Sequence, residues 1–162
     1  MAVLSFALLI LRSIIQTMSD IAFNKRANFD YEISQKFEAG IELLGFEVKA
    51  AKSGRMNIAG SYAVIRDGQA WLLNADIPPY QPGNTPADYD SKRSRRLLLK
   101  NAEIKYLTGK SQEKGLTILP LRVYLRKGLV KLELGIGRSR KKQDKREVIR
   151  SREIQREISR HL

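Results

Sequence analysis

Ser61-Tyr62-Ala63-Val64-Ile65-Arg66-Asp67-Gly68-Gln69-Ala70-Trp71-Leu72-Leu73-Asn74-Ala75-Asp76 decides how this 162-residue chain folds. Asp67-Gly68 separates two apolar runs, and Asp-Gly is the pair that best supplies the two positive φ angles of a two-residue hairpin turn. Tyr62, Val64 and Arg66 share one face of the first strand, and Ala63 and Ile65 the other. The second strand carries Trp71, Leu72 and Leu73. These two runs predict a β-hairpin.

Toward the C-terminus, Pro78, Pro79, Pro82 and Pro86 fall within nine residues, too dense for any regular ladder, so a loop is expected to about Ser91. A loop of that length in a small domain is functional or disordered. A helix is expected from near Asn101, a good N-cap residue, with Ile104 and Leu107 inward and Gly115 closing it. A second hairpin spans Leu116 to Leu125 and Leu129 to Gly135 around Lys127-Gly128, and Pro120 makes its first strand an edge or a bulged one. Toward the N-terminus, Tyr31, Ile33, Phe37, Ile41, Leu43 and Leu44 suggest one long strand over about 30–44, with Gly40 as a bulge or bend. Residues 45–54 form a short helix ending at Gly54, where a left-handed residue is wanted. The class is therefore mainly β with inserted helices. About five strands and two helices suggest a small closed β-barrel.

Two terminal segments stand apart from residues 18–137. Residues 1–17 are an apolar extension, too short to span a bilayer comfortably. A signal peptide is a second reading, but no Lys or Arg precedes the apolar run and no Ala-x-Ala follows it. The favoured reading is a start at Met18. Residues 138–162 carry ten Arg or Lys against four Asp or Glu and few apolar side chains. Arg152, Arg156 and Arg160 recur at four, as do Ile154, Ile158 and Leu162. Glu147–Arg150, Glu153–Arg156 and Glu157–Arg160 are i,i+3 pairs worth a few tenths of a kcal/mol each. This basic tail is disordered or helical: a latent helix expected to order on a polyanion.

Formal net charge is +13. Such an excess repels itself on folding and is best explained by a polyanionic partner, nucleic acid or, less often, an anionic membrane. Cysteine is absent and the single histidine is His161, the penultimate residue. The usual nucleophile and base pairings are therefore missing, as is a metal-ligand set. Asp88 and Asp90 lie on the proline-rich loop and Glu42 and Glu47 sit among lysines, so all four are expected at a solvated surface. Gly135-Ile136-Gly137-Arg138 lacks the Gly-Lys-Ser/Thr ending of a phosphate loop. The expectation is a non-enzyme without cofactor or metal.

Three basic clusters stand out: Lys49, Lys52 and Arg55, followed by Asn57; Lys92, Arg93, Arg95 and Arg96; and Arg138 through Arg146. Any one could be a solvated face; three with few balancing acids point to phosphate contacts and steeply salt-dependent binding. Tyr31, Phe37, Tyr62, Trp71 and Tyr124 lie in expected strands, where core packing is their expected role. That disfavours a base-stacking platform and favours recognition of a folded RNA by shape and backbone.

Asn24-Lys25-Arg26-Ala27, Phe37-Glu38-Ala39-Gly40-Ile41, Gly45-Phe46-Glu47-Val48-Lys49 and Ser61-Tyr62 occur in the order in which the SsrA-binding protein (small protein B) family of bacteria carries such motifs. Asn74-Ala75-Asp76-Ile77-Pro78-Pro79-Tyr80, Arg96-Leu97-Leu98-Leu99, Val130-Lys131-Leu132-Glu133-Leu134-Gly135 and Asp144-Lys145-Arg146 continue the series. From about Ile21 onward the chain resembles that family. The resemblance implies an OB-like closed barrel that binds the tRNA-like part of transfer-messenger RNA and delivers it to stalled ribosomes for trans-translation. Incomplete proteins are then tagged and the ribosome is freed. An elongation factor with GTP would join through the shared RNA. The absence of cysteine fits a reducing cytosol, and the chain is expected to be a cytoplasmic monomer with no stable membrane association. The resemblance places Glu38, Leu98 and Lys131 on the RNA-binding face, and the Asp144-Lys145-Arg146 tail as a helix in the empty message channel near the decoding centre.

The chain departs from the family pattern in three places. Gln143 stands where His often precedes Asp-Lys-Arg, which puts stacking on a ribosomal base in doubt. Lys100 replaces a neutral Asn or His after the triple leucine, changing the kind of RNA contact to a charged one. Ser139-Arg140-Lys141 replaces Gly-Lys-Lys and loses a flexible glycine. Two rival readings remain: a general RNA chaperone or ribosome-associated barrel protein, and a membrane-surface protein held by the first fifteen residues and its basic tail.

Overall fold

Both expected two-residue turns form. Asp67 and Gly68 hold φ of 51° and 70°, and Lys127 and Gly128 hold 52° and 76°, the paired left-handed angles that let two right-twisted strands meet without splaying. The structure is a computed structural model that describes residues 19–160. The apolar extension at residues 1–17 and His161 lie outside the described residues. Seven strands form one antiparallel sheet: β1 (Ser19–Phe23), β2 (Tyr31–Ile41), β3 (Tyr62–Arg66), β4 (Gln69–Leu73), β5 (Arg95–Leu98), β6 (Leu116–Arg126) and β7 (Leu129–Ser139). Their order is β1-β6-β3-β4-β5-β2-β7, and β6 pairs with β7 as well. Four helices interrupt them: α1 (Lys25–Asp30), α2 (Gly45–Lys52), α3 (Asn101–Ser111) and α4 (Lys142–Arg160).

Several boundaries differ from expectation, each for a local reason. The long first strand stops at Ile41 and is preceded by α1, because Asn24 caps a helix there: its Oδ1 accepts the Ala27 N–H at 3.1 Å. Asn24 Nδ2 also donates to the Pro120 carbonyl at 3.0 Å, which ties α1 to β6. Of the two readings of Gly40, the bulge is not found. The register of β2 slips between Ile33 and Gln35, while Gly40 is in regular pairing and lets β5 come close. A Cβ there would sit 3.2 Å from Leu98 Cβ. The expected bulge at Pro120 is present, as a register shift between Pro120 and Arg122. It lets one strand serve several neighbours: Ile118 pairs with β3, and residues 122–125 pair with β1. Lys100, not Asn101, caps α3, which ends at Ser111; Gly115 at φ +80° turns the chain into β6. The β6–β7 hairpin is longer than expected and runs to Ser139, paired with Tyr31.

Inward-facing Ala39, Leu72, Leu97, Val123, Leu132, Leu134 and Ile136 form the core with Ala50 and Ala51 of α2 and Leu107 of α3. Full burial of each large aliphatic side chain contributes about 1.5–3 kcal/mol. A second, smaller cluster sits on the other side of β6 and β7, where Ala27, Leu119 and Leu121 pack with Tyr31 and Ile33. Gly135 and Gly137 make room for it: a Cβ would lie 2.8 Å from Leu121 Cδ1 at the first and 2.9 Å from Tyr31 Cβ at the second. The Gly-x-Gly of this segment is thus a packing device inside a strand.

The proline-rich segment contains one 3-10 turn, Pro82–Asn84, and is otherwise irregular. An ionic cluster fastens it to α2. Glu47 was expected to be solvated, yet it is fully buried, as is Arg95. Glu47 Oε1 accepts from Arg93 Nε (2.9 Å), Arg95 Nε and Nη2 (3.1 and 2.8 Å) and Tyr89 Oη (3.0 Å). Its Oε2 accepts from Arg93 Nη2 (2.6 Å) and the Leu44 N–H (2.8 Å). Arg95 also donates to the carbonyls of Ala75 and Ser91 at 2.7 and 2.8 Å. Burial pushes the Glu47 carboxyl upward, but the hydrogen bonds from Arg93 and Leu44 and the Arg95 charge outweigh it and hold Glu47 below the usual carboxylate range. Arg93 and Arg95 therefore leave the second basic cluster as internal counter-ions, and Lys92 and Arg96 remain exposed.

Candidate nucleic-acid interface

Antiparallel pairing determines which side chains can meet. Gly40 of β2 lies opposite Leu98 of β5 on one side and Lys131 of β7 on the other, and Glu38, two residues earlier on the same face, lies opposite Glu133. Glu38, Leu98 and Lys131 are thus brought together on one outward face. Leu98 is 52% exposed although it is apolar. With Lys131 and Leu129 it lines a shallow cleft that also takes in Val48 of α2. The Gly40 hydrogen leaves the cleft floor low, which is why Leu98 can stand in it.

Glu38 is held rigidly. It accepts a short hydrogen bond from Tyr124 Oη and two from Arg126 Nη1 at 3.0 and 2.9 Å. The Tyr124 bond, with help from Arg126, keeps its carboxyl below the ordinary range. Tyr124 is itself pushed up to about 12, by burial first and by the Glu38 hydrogen bond second. The Arg122 guanidinium lies over the Tyr124 ring at 4.8 Å, bridges to Asp20 at 3.2 Å and approaches Glu133 at 3.5 Å. Lys36 also reaches Glu133, at 3.4 Å. Among the described residues Lys131 has no ion-pair partner within 4.0 Å, so its ammonium group is available to a phosphate.

The other expected residues spread outward from this cleft. Lys49 and Lys52 are exposed on α2, and Lys52 lies one turn beyond the cleft-lining Val48. Lys100 is exposed two residues beyond Leu98, its N–H donating to Glu103 Oε2 at 2.9 Å. Arg55 and Asn57 face the proline-rich side instead. Arg55 donates to the Tyr80 carbonyl at 3.2 Å and covers the Tyr80 ring at 5.7 Å, and Asn57 bridges to Asp76. The sequence reading missed Tyr124, Arg126 and Arg122. Their alternation along one strand was visible, but their meeting with Glu38 required the β6–β7–β2 register.

The aromatics divide differently from expectation. Tyr124 is buried, and Phe37 and Tyr31 pack against the two apolar clusters. Tyr62 is exposed and Trp71 is half-buried outside both clusters, because Ala63, Ala70 and Leu72 take the inward positions of β3 and β4.

The tail runs as a helix from Lys142 to Arg160, with Gln143, Asp144, Lys145 and Arg146 in its opening turns. Asp144 Oδ2 accepts the Lys141 N–H at 3.1 Å. Lys145 Nζ meets Asp30 Oδ1 at 2.8 Å, and the Arg152 guanidinium lies 5.8 Å from the Phe29 ring centre. None of the expected i,i+3 pairs of α4 closes to an ion pair among the described residues. Nor is there, among those residues, a group of three potential metal ligands or a helix long and apolar enough to cross a membrane.

These features define a cationic antiparallel sheet with an ordered carboxylate–tyrosine–guanidinium face and a basic helical tail. The sequence pattern of the SmpB protein family matches residues 21–162. An SsrA-binding protein of Synechococcus elongatus is 47% identical over 139 residues, covering 86% of this chain and 90% of the relative. One from Desulfitobacterium hafniense is 45% identical over 142 residues, covering 88% and 90%. A solved structure described as "tmRNA-SmpB: a journey to the center of the bacterial ribosome" superposes with a TM-score of 0.62 at 40% identity, covering 79% of this chain and 93% of that one. The chain belongs to the SmpB protein family.

Proposed function

We propose that this chain binds transfer-messenger RNA and carries it to stalled ribosomes in trans-translation, acting as a cytoplasmic RNA-binding protein and not as an enzyme. The observation that carries this reading is the convergence of Glu38, Leu98 and Lys131 around Gly40. There an ordered carboxylate, an exposed apolar side chain and an unpaired ammonium offer three kinds of contact to one folded RNA. Backbone, hydroxyl and shape contacts of this kind suit structured RNA. Lys49, Lys52 and Lys100 extend the positive field around the cleft, and Arg55 and Asn57 add a flank beside the proline-rich segment. The β6–β7 pairing supports reading the sheet as an OB-like closed barrel, residues 18–137 forming its body. The tail, with Gln143, Asp144, Lys145 and Arg146, would enter the empty message channel near the decoding region of the small subunit. An elongation factor with GTP would join through the shared RNA.

RNA captured with the protein from its native host tests this directly. Transfer-messenger RNA should be enriched far above bulk RNA and should resist competition by excess transfer RNA. Equal displacement by transfer RNA or ribosomal RNA would replace the proposal with that of a general RNA chaperone.

A further inference from the structure

Next to the Leu98 cleft, the outer face of β3, β4 and β5 continues, with Tyr62, Arg66 and Arg96 exposed on it and no covering element among the described residues. Trp71 lies opposite Val64 on one side and Arg96 on the other, and Tyr62 lies opposite Leu73. Val64, Trp71, Leu73 and Arg66 line a second shallow cleft, with Gln69 and Asp67 at its turn end. None of Tyr62, Val64, Trp71 and Leu73 belongs to either apolar cluster of the protein. Among the described residues, the Trp71 indole N–H has no hydrogen-bond partner, and the exposed Arg66 and Arg96 have no ion-pair partner. This strip is aromatic and apolar at its centre and cationic at its margins, and β5 carries it without a break from Arg96 to Leu98.

We infer that this face is a second RNA contact, at which Trp71 stacks an unpaired nucleobase whose neighbouring phosphates meet Arg66 and Arg96. The inference rests on the RNA-binding reading of the Leu98–Lys131 cleft and takes the base to belong to the same RNA. The chemistry selects this occupant. A partly exposed flat ring lining a cleft suits any base, and guanidinium groups beside it suit the backbone anions that flank a base. A duplex would present no free base to the ring, so the contact is to a loop or bulge of the folded RNA.

Trp71 is the only tryptophan in the chain, so it reports on its own occupancy. The full-length protein is titrated with the tRNA-like domain of transfer-messenger RNA while gel shift and tryptophan emission are recorded together. Emission should fall with the midpoint of the gel shift. Trp71→Leu should weaken binding roughly tenfold, the order supplied by one stacked base, while Trp71→Phe should keep most of the affinity. Thermal melts of both variants should stay near that of the parent, since Trp71 lies outside the core. RNA that binds with unchanged emission, together with a Trp71→Leu variant of parental affinity, overturns the inference and leaves this face to a protein partner. An RNA that does not bind at all overturns the reading of the Leu98–Lys131 cleft instead, and this inference with it.

Discussion

Replacing Glu47 with glutamine changes a carboxylate oxygen into an amide NH2 at the same volume, and the surroundings make that change severe. The carboxylate accepts up to six hydrogen bonds, from Arg93, Arg95, Tyr89 and the Leu44 backbone. An amide keeps one acceptor and turns the other position into a donor that faces donors. It also leaves the Arg95 guanidinium, with no exposed surface, without its counter-charge. Breaking a buried pair by removing one partner costs about 3–5 kcal/mol. For a domain of this size that lowers Tm by roughly 10–15 °C, measurable by calorimetry or circular dichroism. The pH dependence carries a second signature. Because Glu47 titrates below the usual carboxylate range when folded, its contribution is fully present above the ordinary glutamate range. It is lost as pH falls through the lowered folded value. Glu47→Gln should therefore weaken the fold most at neutral pH and flatten its acid limb. A variant that loses less than about 1 kcal/mol at pH 7, or keeps the parental acid limb, would refute the view that this cluster holds the proline-rich segment to α2.

Spectrophotometric titration should show one tyrosine ionising near 12. Since the unfolded chain releases that proton near the ordinary phenol value, stability should decline as pH rises from about 10 to about 12. Glu38→Gln should return Tyr124 only part of the way, because burial is the larger cause, and should also weaken RNA binding in a gel shift. Gly137→Ala should cost about 1–3 kcal/mol in urea unfolding, because the new methyl meets Tyr31 Cβ at 2.9 Å, near the backbone where little can give. Deleting residues 142–162 should leave RNA affinity within about twofold and abolish tagging in a reconstituted system. The cut must fall after Ser139, which pairs with Tyr31; equal loss of binding and tagging would contradict a separate role for the tail.

The parts of the fold written in neighbouring residues were legible. Asp67-Gly68 and Lys127-Gly128 identified both hairpins, and the apolar spacing of Ile104 and Leu107 identified α3. Elements defined by distant partners were not. β1 is five residues with no clear alternation, and β5 begins with an arginine that points inward to a carboxylate 48 residues away. Glu47 beside Lys49 looks solvated until Arg93 and Arg95 fold over it. Glu38, Leu98 and Lys131 entered through motif likeness, not through any local pattern. Only the register explains their convergence: Gly40 stands between Leu98 and Lys131. Core packing is the ordinary expectation for Trp71 and Tyr62, because aromatic residues in strands usually face inward. The alanines at 63 and 70, opposite in facing, were the signal that the larger rings lie outside.

The partner choices of β6 also fix an order in time. Asp20 finds Arg122 across 102 residues, and Asn24 finds Pro120 across 96. A ribosome making this chain releases β1, α1 and β2 well before the strands that complete them exist, an interval of roughly 5–20 s at ordinary elongation rates. The β3–β4 and β6–β7 hairpins each close through their own tight turn, whereas β1 and β2 must wait for β6 and β7. Long-range pairing of this kind is expected to fold in milliseconds to seconds rather than microseconds, and during synthesis β1 stays without its β6 partner until Arg122 to Leu125 have emerged.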